Sequence, residues 1–124
     1  MDNIINLLEE RFEFGRRKYN QGVSIDSDMS TYTLSKEDSY IDMQIEEILD
    51  GLIYTSASKL RYLKQIGKYN NSNLEDDNKN IIIQIFSNKN NENEDYNINQ
   101  YNLILNNLLN ILTLSINLKK KINK

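Results

Sequence analysis

Two acids three residues apart leave a helix side by side, and the first half of this chain places such a pair twice: Glu10 with Glu13, and Glu47 with Asp50. Carboxylates crowded in that way repel, and the repulsion is tolerated best with a cation between them. The rest of the composition narrows which cation. The chain has no Cys and no His, which removes disulfides, thiolate zinc sites, Ser-His and Cys-His nucleophile systems and the carboxylate-histidine di-iron motif. The remaining ligands are oxygens, which suit magnesium, manganese or calcium.

Helical periodicity places both pairs. In Ser39 to Leu63, SYIDMQIEEILDGLIYTSASKLRYL, and just beyond it, Ile41, Ile45, Ile48, Leu49, Leu52, Ile53, Leu60, Leu63 and Ile66 fall on one broad apolar face. Met43, Glu47, Asp50, Tyr54, Ala57 and Arg61 share the opposite face, where acids alternate with residues that prefer cover. Residues 2 to 19 form a first helix, with Asp2 or Asn3 as N-cap and Ile4, Ile5, Leu8 and Phe12 along one side. Leu7 and Phe14 bracket Glu10 on another side, while Glu9 points further round. If the two helices pack antiparallel, four carboxylates converge between them.

The chain of 124 residues reads as one all-α domain, because it has no Pro and only four Gly. Its expected parts are a motif-bearing helical pair over 1–68, an Asn-rich and partly flexible connection over 69–95, and a C-terminal helix over 96–124. Helices are expected over 3–19, 36–67 and 96–120. Ser35 with Asp38, or Ser39 with Asp42, offers the start of the central helix. Asp26 and Asp28 in the polar stretch 20–34 read as ordinary loop acids. Seventeen of the twenty Asn lie from Asn70 onward, a bias of the kind A+T-rich codons produce. Periodicity leaves NIIIQIF, 80–86, open between helix and strand. In the last helix Leu105, Leu108, Leu109, Leu112 and Ile116 face one way and Asn102, Asn106, Asn110 and Asn117 the other, a pattern unsuited to a membrane span.

A net charge of −3 with scattered basic residues leaves no electrostatic footprint for nucleic acid. No secretory leader is legible at the N-terminus, so the expected compartment is the cytoplasm, or the host's cytoplasm for a viral protein. Arg16, Arg17 and Lys18 close the first helix, where cations complement its dipole; phosphate binding is the other reading of the same residues.

The two acidic elements resemble a known family. LLEERFE, Leu7 to Glu13, is similar to the E-E-x-x-E element, and EEILDGLIY, Glu46 to Tyr54, to the E-x-x-D element, of the MazG-like all-α nucleoside triphosphate pyrophosphohydrolases. RFEFGRRKYNQGV resembles the K-Y-G-x-G-V region of phage and viral members, with Asn20 where that pattern has its first Gly. The likeness covers about residues 5–64, and the span from Glu13 to Glu47 is longer than the family's. It implies a helical bundle of two long antiparallel helices plus a C-terminal helix, completed as a homodimer or higher homo-oligomer. It implies too a magnesium- or manganese-dependent cleavage of (d)NTP to (d)NMP and pyrophosphate, with Glu10, Glu13, Glu47 and Asp50 as metal ligands and catalytic acids. Arg16, Arg17, Lys18, Tyr19, Tyr54 and Arg61 are then candidates for the substrate. The alternative is a non-catalytic helical interaction protein that kept the scaffold of such an enzyme.

Overall fold

The structure is a computed structural model, and it describes residues 2–19, 40–69, 77–87, 89 and 91–122. The order is α1 (Asp2–Tyr19), α2 (Tyr40–Gln65), α3 (Asp77–Phe86) and α4 (Tyr96–Ile122), with no strand among the described residues. The all-helical expectation therefore holds, and the ambiguous 80–86 segment is helical. The start expected at 36 and its caps Ser35, Asp38 and Ser39 lie outside the described residues, as do Asp26 and Asp28. None of the described helices is long and apolar enough to cross a membrane.

The chain divides into two compact units, Met1–Ser39 and Tyr40–Lys124. In the first, α1 carries Ile4, Ile5, Leu7, Leu8, Phe12 and Phe14 exposed. In the second, α2 packs against both α4 and α3. Its partners show how α2 and α4 run. Asp42 meets Lys119 in an ion pair, Gln44 donates to Ser115 Oγ (2.7 Å), Lys59 donates to Asn102 Oδ1 (2.7 Å), and Tyr62 donates to Asp95 Oδ2 (2.7 Å). Early residues of α2 thus pair with late residues of α4, which defines an antiparallel couple held along its length.

Leu52, Ile85 and Leu105 form the centre of the core, with Ile81, Leu108, Leu109 and Leu112 packed round it. The buried stripe of α2 is narrower than its periodicity predicts. Ile48, Leu52 and Leu60 are buried, but Leu49, Ile53 and Ile66 are exposed. The division of α4 also needs correction: Asn102 is buried on the core side, whereas Ile116 stands exposed.

Both ends facing the α2–α4 connection are capped. Gly67, at φ +75°, closes α2; its N–H donates to Lys64 O (3.2 Å) and that of Lys68 to Leu63 O (2.8 Å). These two bonds are the Schellman pattern, which needs a left-handed residue and so favours glycine. Asp95 caps α4 by accepting from the backbone N–H of Asn97 (2.7 Å) and Ile98 (3.4 Å) at Oδ1.

Leu105 is 0% exposed, so Leu105→Ala is expected to destabilise the protein by about 3 kcal/mol, the usual loss plus cavity for a core leucine. Leu103→Ala, on the exposed side of the same helix, should cost less than about 1 kcal/mol. Urea titration followed by far-UV circular dichroism measures both.

Candidate functional site

On α2, the commitment of Ile48, Leu52 and Leu60 to the core turns the opposite face outward. Glu47, Asp50, Tyr54 and Arg61 are all exposed there, Tyr54 at 68%. The cover that the sequence pattern leads one to expect over this face is thus missing at Tyr54. Among the described residues neither Glu47 nor Asp50 is recorded in a hydrogen bond or ion pair. A three-residue spacing sets both carboxylates on neighbouring turns of one exposed surface, open to a ligand from solvent.

On α1 the two acids differ. Arg16 grips Glu13 with both ends of its guanidinium, Nε to Oε2 at 3.1 Å and Nη2 to Oε1 at 2.6 Å, and Arg17 Nε stands 3.8 Å from Oε1. The hydrogen bond from Arg16 holds the Glu13 carboxyl below its ordinary range, and the same bond pushes the Arg16 guanidinium up. Glu10 lines a shallow depression with Leu7, Arg11, Phe14 and Arg17, where the Arg11 guanidinium lies 5.0 Å from the centre of the Phe14 ring. Arg16 and Arg17 therefore already serve an acid of their own helix, at exposed positions where such pairs contribute little and exchange readily. Lys18 and Tyr19 close α1.

Glu47 and Asp50 offer carboxylate oxygens on an exposed surface, and Glu10 lines the shallow depression of α1; oxygen donors are the kind a hard cation takes. Among the described residues no three acidic side chains gather into a group that could hold a metal. The structure thus brings the acids together as pairs, each within its own helix.

Lys59, to which the sequence pattern assigned no role, is a buried charge of the second unit, 4% exposed. Burial lowers its pKa, with Glu94 pulling the other way. Its ammonium donates to Asn102, whose own amide donates to Lys89 O (3.1 Å), so one buried pair ties α2 and α4 to the segment that precedes α4. Nearby, Lys68 and Glu94 pair at 2.7 Å, and the rings of Tyr62 and Tyr101 meet with centres 6.2 Å apart. The signal was available: Lys59 falls on the apolar arc with Ile48, Leu52 and Tyr62, and a lysine there needs a buried acceptor. Ser56 Oγ on that same face is buried without a hydrogen-bond partner among the described residues.

Compared with family models, curated proteins and solved structures, the chain matches none.

The Tyr62 hydrogen bond holds the Asp95 carboxyl below its ordinary 3.8. The folded state therefore binds this proton less readily than the unfolded chain, and the resulting stability is present above that value and lost as pH falls through the lowered folded one. Asp95→Asn keeps a capping oxygen but cannot titrate, so the fall in Tm between pH 6 and pH 3 should shrink. Glu92→Gln, exposed in the same segment, serves as control and should shrink it less. Thermal melts across that range decide.

Proposed function

We propose that the protein is a metal-dependent nucleoside triphosphate pyrophosphohydrolase, acting in the cytoplasm as a homodimer or higher homo-oligomer. The observation that carries this reading is the outward face of α2, where Glu47 and Asp50 stand exposed and without a recorded partner among the described residues while the other face is spent on the core. The likeness of EEILDGLIY and LLEERFE to the acidic elements of the MazG-like enzymes supports it. The acids of both elements, Glu10, Glu13, Glu47 and Asp50, are exposed.

In this reading Glu47 and Asp50 on α2 would hold magnesium or manganese, and Glu10 and Glu13 on α1 would serve as ligands too. The bound ion would supply charge neutralisation for a polyphosphate that four carboxylates would otherwise repel. One carboxylate takes a proton from water as the water oxygen bonds to one phosphorus of the α–β anhydride; the bond from that phosphorus to the bridging oxygen breaks, and (d)NMP and pyrophosphate are released. To serve as a ligand Glu13 would have to give up its bonds to Arg16, and Arg16 and Arg17 would then be free to meet phosphate oxygens. Lys18, Tyr19, Tyr54 and Arg61 complete the substrate contacts, Tyr54 and Arg61 from the same exposed face as the α2 acids.

A second reading, a non-catalytic helical interaction protein, draws on the exposed apolar side chains of α1. The two part at a single charge. Asp50→Asn keeps size and helix pattern, and is expected to cut magnesium-dependent pyrophosphate release by at least about 100-fold, the scale of losing a catalytic acid or ligand. Glu9→Gln, in the same acidic run but off the proposed site, should stay within about twofold. A panel of canonical and modified nucleoside triphosphates, with pyrophosphate and orthophosphate measured separately, gives the readout. Equal, neutral behaviour of both variants in activity and in magnesium-dependent thermal stabilisation would install the interaction protein instead.

A further inference from the structure

From Tyr96 to Leu118, α4 contains no Asp, Glu, Lys or Arg. Its core side explains half of that run, since Ile98, Asn102 and Leu105 are buried against the rest of the unit. The outer side is also apolar. Ile104, Ile111 and Leu118 are seven residues apart, with Leu114 between the last two and Ile122 one turn beyond, so they form a narrow stripe along one side of the helix. Ile104 and Ile111 are each 45% exposed, Leu114 68%, and Leu118 and Ile122 about half or more. Seven-residue recurrence of aliphatic side chains on an open helix face is the pattern of a helix that meets another helix.

We propose that this stripe is the self-association surface of the protein, where α4 of one copy packs antiparallel on α4 of a second. The proposal names a surface for the homo-oligomer attached to the hydrolase reading, but its test needs no activity, so either can fail alone.

Three features select a second copy. Gln100 continues the stripe, Asn107 stands within it and Asn110 and Asn117 border it, all neutral amides; up to Leu118 a charged partner would find no counter-charge, whereas an identical surface meets itself without repulsion. Two such stripes face to face withdraw roughly 1,000 Å² from water, the lower edge of a specific interface. The charges that α4 does carry sit at its C-terminal end, in Lys119, Lys120 and Lys121. A parallel pair would bring these lysines together, while an antiparallel pair separates them and opposes the two helix dipoles. The antiparallel crossing then falls near Ile111 and Leu114, the middle of the stripe.

The chain has no Cys, so introduced thiols report cleanly. Sedimentation equilibrium over a wide concentration range should give a dimer or an even multiple of the chain. Leu114→Glu should raise the dissociation constant at least about 100-fold. Phe86→Glu, more exposed at 73% but on α3, should leave it unchanged. Ile111→Cys should form a disulfide-linked dimer under mild oxidation, and Ile104→Cys should not link to itself, because each copy's residue 104 lies at the opposite end of the pair. A monomer at every concentration overturns the proposal, as does dissociation by Phe86→Glu and not Leu114→Glu. So do self-linking of Ile104→Cys, or a monomer that instead binds anionic phospholipid vesicles through this face.

Discussion

The antiparallel couple of α2 and α4 is the interaction on which the second unit depends. Its apolar part is small, centred on Leu52 and Leu105 with Ile85 from α3, and hydrophobic contact alone is a poor judge of register. A slide by one helical turn would still bury leucine on leucine. Register is fixed by the directional bonds at intervals along the couple: Asp42 to Lys119, Gln44 to Ser115, Lys59 to Asn102, Tyr62 to Asp95. A slide breaks all of them together and strands the ammonium of Lys59 in an apolar setting, where an unpaired charge is costly. The apolar core supplies the attraction; the polar ties choose one arrangement among several of similar burial.

That division of labour reaches the candidate site. The ties of α2 fix which way the helix is rotated, so they also fix which face is left outward. Lys59 on the inner arc and Asp50 on the outer one are set by the same rotation. The acids of α1 have a different local balance, in which Glu13 is neutralised by its own neighbours. An acid already paired within one turn of helix is shielded from self-repulsion without any ion, and is the weaker member of the proposed set until a stronger cation displaces the arginine.

Helices were legible because period 3.6 and the missing Pro speak locally. The ambiguous 80–86 run could not be read from its own pattern, since a short apolar segment suits either state; the packing of Ile81 and Ile85 on the core of α2 and α4 decides it. Breadth of burial was also illegible. Periodicity reports which residues could share a face, but tertiary packing sets how much of that face is covered, and Leu49 and Ile53 stay exposed. The Asn-rich stretch misled in a different way. Compositional drift describes the bulk of it, yet Asn102 holds Lys59, and Asn91 and Asn99 exchange backbone and side-chain bonds, Asn91 N–H to Asn99 Oδ1 and Asn99 Nδ2 to Asn91 O. A bias in codons and a role in hydrogen bonding are compatible, because the amide serves wherever chance has put it within reach of a donor and an acceptor. The acidic pairs were legible as pairs; whether they form one site depends on tertiary placement, which spacing along a helix does not encode.

The Gly67 turn has a consequence for how this sequence can change over generations. Once α2 is closed by its own two backbone bonds and α4 is opened by its own aspartate, neither helix relies on the intervening segment to tell it where to stop or start. Closing a longer connection costs only about 0.6 kcal/mol for each doubling of its length. Lengthening the connection outside α3 is therefore possible at little thermodynamic expense, whereas α3 is held by Ile81 and Ile85 in the core and insertions inside α2 or α4 would throw the ladder of ties out of step. The Asn-rich composition begins after Lys68 and runs on through α4, so it is a bias that the capped helices and their ties accommodate, not the mark of a segment set apart from them.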